Sequence, residues 1–346
     1  MTSDERREAM LYEPADGGAV TCRLCGHGCV IAPGELGVCR VRQNVAGRLV
    51  SLNYDQVIAV HVDPIEKKPL FHFLPGSLAL SIAAAGCNFQ CAFCQNWRIS
   101  QAPRTHAALT GQAIAPAAIV EAAKRNGCAS ISYTYTEPTI FFELAFDTAT
   151  LAAAEGIRNT FVSNGFMTVE AVRTIAPVLD GANVDLKAFR DETYRTVMKA
   201  RLGPVLDCLR ALVAEGVWVE VTTLIVPGMN DSDAELGEIA GFIAGDLGPD
   251  VPWHVSRFHG DYRMNDQDPT PVATLRRAVR IGREAGLKHV YSGNVPGDAN
   301  ESTVCAGCGS TLIHRVGYTI REDRLAEGRC PDCGAAVAGV WAPAGR

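Results

Sequence analysis

The sequence predicts an α/β fold, a partial (βα)6 barrel of TIM type, on three observations. Between Leu78 and Pro296, short β-type runs alternate with amphipathic helical patterns, which implies parallel strands joined by right-handed crossovers. Prolines open helices and glycines close them: Pro116 and Pro204 suit a first turn, and Gly127, Gly156 and Gly216 fall at C-terminal caps. Polar residues follow the strands, as expected where strand ends gather into a functional rim.

Taken in order, strands are expected at Leu78–Ala84, Ser130–Thr134, Asn159–Ser163, Ala182–Leu186, Val217–Val226, Trp253–Phe258 and His289–Tyr291. Helices are expected near Pro116–Asn126, Thr139–Glu155, Thr168–Leu179, Pro204–Glu215, Asp233–Leu247 and Pro271–Ala285. Six to seven units instead of eight imply an open barrel with a lateral mouth. A doubly wound sheet also gathers ligands at strand C-termini, and the sequence separates the two only weakly.

Across 346 residues the net charge is −6, and no block of five like charges occurs. That argues against nucleic acid or an anionic membrane as the main partner. The start, Met1 to Arg7, is charged and lacks the apolar stretch of a secretory signal. The run from Leu78 to Ala85 is far too short to span a bilayer. Of thirteen cysteines, all but Cys128 and Cys208 fall in three tight groups, which suggests metal ligands in a reducing cytoplasm instead of disulfides.

Cys87, Cys91 and Cys94 follow the first strand directly. Three thiolates on one loop can hold three irons of a cubane and leave the fourth without a protein ligand, whereas electron-carrier clusters take four cysteines. An open position is where a metal centre does chemistry. The alternatives are a zinc site with a distant fourth ligand, for which this spacing is unusual, or a fortuitous group of core thiols. With Phe93 ahead of the last cysteine, the segment resembles the signature of the radical S-adenosylmethionine (SAM) enzymes. The resemblance implies a 4Fe–4S cluster on Cys87, Cys91 and Cys94, with its open iron chelated by the amino and carboxylate groups of SAM. It also implies reductive cleavage to methionine and a 5′-deoxyadenosyl radical, and a barrel of the radical SAM kind.

The same resemblance supplies candidate SAM contacts. Thr136-Glu137-Pro138 stands where relatives place an acidic residue against the SAM amino group, with Thr and Tyr in place of their glycines; the alternative is that Glu137 favours the positive end of the following helix. Asn164-Gly165 and Asp185-Leu186-Lys187 resemble the pyruvate formate-lyase activating enzyme group, where those positions line the SAM pocket and the aspartate helps hold a monovalent cation. Val162-Ser163 depart from the Asp-Thr of that group, so the cation site is in question. Lys187 either pairs with the SAM carboxylate or neutralises Asp185. Pro227-Gly228-Met229-Asn230-Asp231 resembles a turn that approaches adenine and ribose, and it also reads as an ordinary turn before a helix. His259, with Arg257, begins the rim after the sixth strand as a candidate for ligand contact.

Two further cysteine sets flank the barrel. Cys305, Cys308, Cys330 and Cys333 form two C-x2-C-Gly knuckles separated by 21 residues, a zinc-ribbon spacing that closes the site for a structural or partner-docking role. Cys22, Cys25, Cys29 and Cys39 also number four; zinc is the first expectation and an auxiliary iron–sulfur cluster the second, with His27 able to replace one thiolate. Cys128 and Cys208 read as buried and inert. The domain boundaries expected are 1–74 for an N-terminal extension, 75–300 for the barrel and 301–346 for the ribbon. Asp63 to Phe73, rich in charge, reads as a solvated connector, with an anion clamp of Lys67 and Lys68 at the rim as the alternative.

Together, the N-terminal cysteine set, Ile65-Glu66-Lys67-Lys68-Pro69-Leu70, Thr136-Glu137-Pro138, Arg257-Phe258-His259 and the ribbon resemble the radical SAM enzyme of the AmmeMemoRadiSam system. That family is similar to the pyruvate formate-lyase activating enzymes. The likeness implies hydrogen abstraction from an unknown substrate, with a partner protein and a glycyl radical as one version. It also implies Memo-like and AMMECR-type partners and a reductant such as flavodoxin or ferredoxin. The competing reading is a non-enzymatic metal scaffold or electron carrier, which metal and sulfide content would separate from the enzyme.

Overall fold

The computed structural model describes residues 6–105 and 109–341. One sheet organises the chain. Its strands are β1 (Gln56–Pro64), β2 (Leu78–Ala84), β3 (Gln112–Ala113), β4 (Ser130–Tyr133), β5 (Arg158–Ser163), β6 (Gly181–Asp185), β7 (Trp218–Ile225), β8 (Trp253–Arg257) and β9 (Val290–Gly293). Across the sheet they run β9-β8-β7-β6-β5-β4-β2-β1-β3. The seven from β2 to β9, leaving out β3, are parallel and in chain order. A doubly wound sheet would reverse its order at a switch point, so the singly wound order decides for the barrel. The end strands β9 and β3 do not pair with each other, which leaves the barrel open.

Six crossovers carry one main helix each: α1 (Pro116–Arg125), α2 (Phe142–Ala154), α3 (Val169–Ile175), α4 (Leu202–Ala214), α5 (Asp233–Phe242) and α6 (Val272–Glu284). The (βα)6 expectation thus holds, with β9 as a seventh strand. Local sequence explains the helix starts. Pro116 occupies the first turn of α1, Thr168 Oγ1 accepts from Ala171 N at the head of α3, and Ser232 Oγ accepts from Glu235 N at the head of α5. Leu275, Ala278, Val279 and Gly282 make the buried stripe of α6. A Cβ on Gly282 would lie 2.9 Å from both Trp253 and Val290, so glycine sets how closely α6 approaches β8 and β9.

Two expectations about the region before β2 are corrected. The boundary at 74 places Gln56–Pro64 in the extension, yet β1 joins the barrel sheet antiparallel to β2. The segment from Asp63 to Phe73 is not solvated: Glu66, Lys68, Leu70, His72 and Phe73 are buried. It forms the floor of the barrel, where Asn183 donates to the Pro69 carbonyl and Glu220 accepts from the amides of Phe71 and His72. Its charges are tolerated because each is partnered: Lys68 pairs with Asp63 at 2.6 Å, and Glu66 accepts from Gly76 N and faces the buried Arg315.

The C-terminal ribbon is a three-stranded antiparallel sheet of Thr303–Val304, Thr311–Val316 and Thr319–Asp323. It fastens to the floor: Val340 N donates to His72 O, Leu74 N donates to Val340 O, and Arg315 donates to Phe71 O. Among the described residues no helix is long and apolar enough to cross a membrane.

This floor makes stability pH-dependent. Burial pushes His72 down to about 3 and His289 down to about 4, so both are neutral in the folded chain. An unfolded imidazole takes up its proton near pH 6.5, so the unfolded state gains as pH falls below that value. Burial alone would raise Glu220, but the hydrogen bond and charge of His254 outweigh it and bring it to about 2. Its contribution is lost between the unfolded value near 4.5 and about 2. Thermal melts should therefore show stability full above pH 6.5 and falling steadily toward pH 4. A melting temperature unchanged from pH 7.5 to 4.5 would contradict this account of the floor.

Candidate catalytic centre at the barrel rim

The loop after β2 is shaped by backbone before any metal is considered. Gly86 adopts φ +118°, and a Cβ there would lie 3.1 Å from Val41 and 3.3 Å from Ile140, so only glycine admits the turn. Gly86 N donates to Ile99 O, Gln90 N to Met198 O, Ala92 N to Val197 O, and Arg263 N to Ala92 O. Val197 and Met198 belong to a π turn, Tyr194–Met198, and wide turns of this kind recur at functional sites. The three thiols are thus carried on a loop pinned from several sides. Phe89 N donates to Cys87 Sγ at 3.3 Å, and Cys94 Sγ lies 3.3 Å from Ser100 Oγ. Burial pushes the Cys91 thiol up to about 12, opposed by the nearby Lys187 ammonium.

The polar rim converges on these sulfurs. Asn164 Nδ2 donates to Asn88 Oδ1 at 2.7 Å and lies 3.7 Å from Cys87 Sγ. Asn88 Nδ2 is buried without a hydrogen-bond partner, one residue from Cys87. An orphaned donor at that place fits a sulfur acceptor of a cluster, since unmade buried bonds are costly. Lys187 pairs with Asp185 at 2.5 Å; burial opposes its charge, but Asp185 and Cys91 outweigh it and raise its pKa. Gln95, beside Cys94, donates to His259 at 2.9 Å, and Trp97 stacks on Tyr262 with ring centroids 5.0 Å apart. Asn164, Asp185, Lys187 and His259 therefore stand around the cysteine loop.

Two expected SAM contacts are placed differently. Glu137 is 1 % exposed, and its carboxylate already accepts from Thr139 N, Thr139 Oγ1, Ser163 Oγ and Asn164 N. Burial raises its pKa, and these donors oppose the rise. It serves as the N-cap of the turn Pro138–Phe141 and ties that turn to the end of β5, which is the capping alternative. Asn230 is also saturated: it accepts from Val226 N and donates to the carbonyls of Lys187 and Leu224, fixing its own turn instead of a ligand. Each polar atom of the two side chains has a partner within the protein, and Glu137 Oε2, which accepts from Asn164 N alone, keeps acceptor capacity.

In the ribbon, Cys305, Cys308, Cys330 and Cys333 hold all four sulfurs within 4.8 Å of one another, with pairs at 3.6 and 3.7 Å. A tetrahedral ion bound at about 2.3 Å spaces its sulfurs about 3.8 Å apart, so one such ion fits this set. The ribbon lies under the N-terminal ends of the strands, and β2 alone separates that end from the cysteine loop by about 23 Å. Cys22, Cys25, Cys29 and Cys39 lie on the other side, against the cysteine loop itself, where His27 Nε2 meets Asn88 O at 2.8 Å. With that nitrogen given to a carbonyl, His27 serves as a bridge between the two loops. Cys128 and Cys208 are buried as expected.

Asn88 and Arg104 were not among the candidates read from the sequence, and His27, expected as a substitute for one thiolate, instead meets the Asn88 carbonyl. Only position marks Asn88, directly after Cys87. Arg104, which donates to both Val38 O and Cys87 O, leaves no sequence signal.

The radical SAM superfamily pattern matches residues 81–243. The chain is 44 % identical over 330 residues to the uncharacterized protein MJ0808 of Methanocaldococcus jannaschii, covering 95 % of this chain and 98 % of that one. It is 22 % identical over 204 residues to the benzylsuccinate synthase activating enzyme of Thauera aromatica, covering 55 % and 61 % respectively. Among solved structures, a radical SAM methyltransferase from Sphaerobacter thermophilus superposes with TM-score 0.50 at 20 % identity, over 69 % of this chain and 71 % of that one.

Proposed function

The chain belongs to the radical SAM superfamily and is a radical SAM enzyme; on that premise we propose that Cys87, Cys91 and Cys94 hold the 4Fe–4S cluster and that the substrate is a partner protein. When bound, the cluster and SAM supply one-electron cleavage of a carbon–sulfur bond and hydrogen abstraction from the substrate. The chain's own residues do the rest. Asn164 and Asn88 orient Cys87 and offer amide donors to the cluster edge. Lys187 presents an ammonium for the SAM carboxylate while Asp185 keeps it charged and in place. Ser163, Glu137 and Thr139 hold the turn that backs the pocket, and His259 with Gln95 closes the rim beside Cys94.

The observation that carries this reading is the convergence of three loop thiols, an unpartnered Asn88 donor and a charged Lys187–Asp185 pair at one rim. The protein-substrate part is supported by the likeness to a benzylsuccinate synthase activating enzyme and by the open side of the barrel. Membership of the AmmeMemoRadiSam system, with Memo-like and AMMECR-type proteins as the candidate partners and a flavodoxin or ferredoxin as donor, rests on the motif resemblance. Anaerobic incubation with SAM and dithionite should release 5′-deoxyadenosine, and adding the correct partner should raise that release and leave a protein-centred electron paramagnetic resonance signal. Release without any protein signal, alongside a modified small molecule, would overturn the protein-substrate part.

A further inference from the structure

We infer that Cys22, Cys25, Cys29 and Cys39 bind a second iron–sulfur cluster, of the 4Fe–4S type, that passes electrons to the catalytic one. All four cysteines line a single small pocket, walled also by Ile31, Arg42 and Thr139. Among the described residues, the ribbon set is the one group of three or more Cys, His, Asp and Glu side chains whose ligand atoms all close to within 4.8 Å. The N-terminal sulfurs face a shared cavity without closing to that single-ion spacing. Zinc, the first expectation, needs the tight spacing. A cubane does not, because each thiolate binds its own corner iron.

The wall of the cavity points the same way. Arg42 is buried, places Nη1 3.8 Å from Cys22 Sγ, and leaves Nε without any hydrogen-bond partner. The rest of its guanidinium is held by Met10 O and by Glu143. A buried cation with an unused donor calls for an anionic acceptor in the cavity; a four-thiolate metal centre supplies one, and the wider spacing of the sulfurs selects the cluster over zinc. Four protein ligands leave no open iron, so this site transfers electrons and does not take SAM.

Three short bridges join it to the catalytic loop. The Arg104 guanidinium donates to Val38 O, next to Cys39, at 2.9 Å and to Cys87 O at 3.0 Å. His27, between Cys25 and Cys29, meets Asn88 O at 2.8 Å. Thr139, on the cavity wall, donates to Glu137, which in turn accepts from Asn164 beside Cys87. The step is a one-electron transfer without bond or proton change. The reduced N-terminal cluster is oxidised, the catalytic cluster is reduced, and a low-potential one-electron donor of the ferredoxin or flavodoxin class restores the first. The relay role rests on the proposed catalysis; the identity of the second cluster does not.

The test uses the full chain reconstituted anaerobically with iron and sulfide. The Cys87→Ala/Cys91→Ala/Cys94→Ala variant should retain about four irons and four sulfides per chain and give a reduced-cluster resonance, against about eight of each in the unsubstituted protein. Adding Cys25→Ser and Cys29→Ser should remove that remainder. Zinc at this site with no sulfide in the triple variant would overturn the proposal, whether or not SAM is cleaved. Should the triple variant fail to fold, the unsubstituted count decides: about four sulfides instead of eight contradicts a second cluster. In the dithionite-reduced unsubstituted protein, the two clusters should broaden each other's resonance, and Cys25→Ser/Cys29→Ser should sharpen it. An unchanged line shape would overturn the relay.

Discussion

Replacing Cys87, Cys91 and Cys94 together by alanine is expected to abolish SAM cleavage, with 5′-deoxyadenosine falling to the background of a protein-free control. The effect is total because the loop supplies all three thiolates of the site, and one substitute such as His259, which stands beside Gln95, could not replace three. The ribbon metal should survive at full occupancy, because its four sulfurs lie at the opposite end of the strands. Metal analysis before and after substitution checks both halves. Cleavage that persists at even a tenth of the unsubstituted rate would place the chemistry elsewhere.

The second large effect is on stability. Arg42 and Glu143 form an ion pair in which both side chains are almost fully buried, and it fastens the N-terminal strand Arg42–Val45 to the first turn of α2. Removing one partner leaves the other charge buried and uncompensated, which costs about 3–5 kcal/mol. Arg42→Leu and Glu143→Leu should each lower the urea midpoint strongly. The double variant should recover part of the loss, since neither member of the pair then remains stranded, while Met10 N, Met10 O and Cys22 Sγ lose their partners. Additive losses in the double variant would show that the pair is not coupled in this way.

Much of the barrel was legible because its physics is local. Alternating apolar runs marked all seven parallel strands, β2 to its end residues, since each needs an apolar side chain on a fixed face. Gly127, Gly156 and Gly216 all carry positive φ at helix ends, as their positions implied. The floor was not legible. The charges of Glu66 and Lys68 read as solvated because burial against Arg315 and Asp63 is identified only by the fold, whereas Lys67 is exposed as read. Strand β1 escaped for a related reason: it pairs antiparallel with β2 and breaks the β-then-α rhythm.

At the site, the sequence marked which loops meet but not which atoms are already occupied. Glu137 and Asn230 carry the expected letters, yet their hydrogen bonds are consumed within the protein, by donors that tertiary structure brings in. The residues that join the two cysteine loops were hidden by distance along the chain. His27 and Asn88 are 61 positions apart, and Arg104 and Val38 are 66 apart. Spacing rules for metal ligands work over a few residues and cannot reach such pairs.

In the proposed enzyme one iron at the Cys87 loop has no protein ligand and is taken by SAM. Electron–nuclear double resonance on the reduced enzyme, with SAM labelled at its amino nitrogen and carboxylate oxygens, measures this directly. Hyperfine coupling from both labels to the cluster is predicted, and it should vanish in the Cys87, Cys91 and Cys94 alanine variant. A reduced cluster that shows no coupling to either label at saturating SAM would contradict the account.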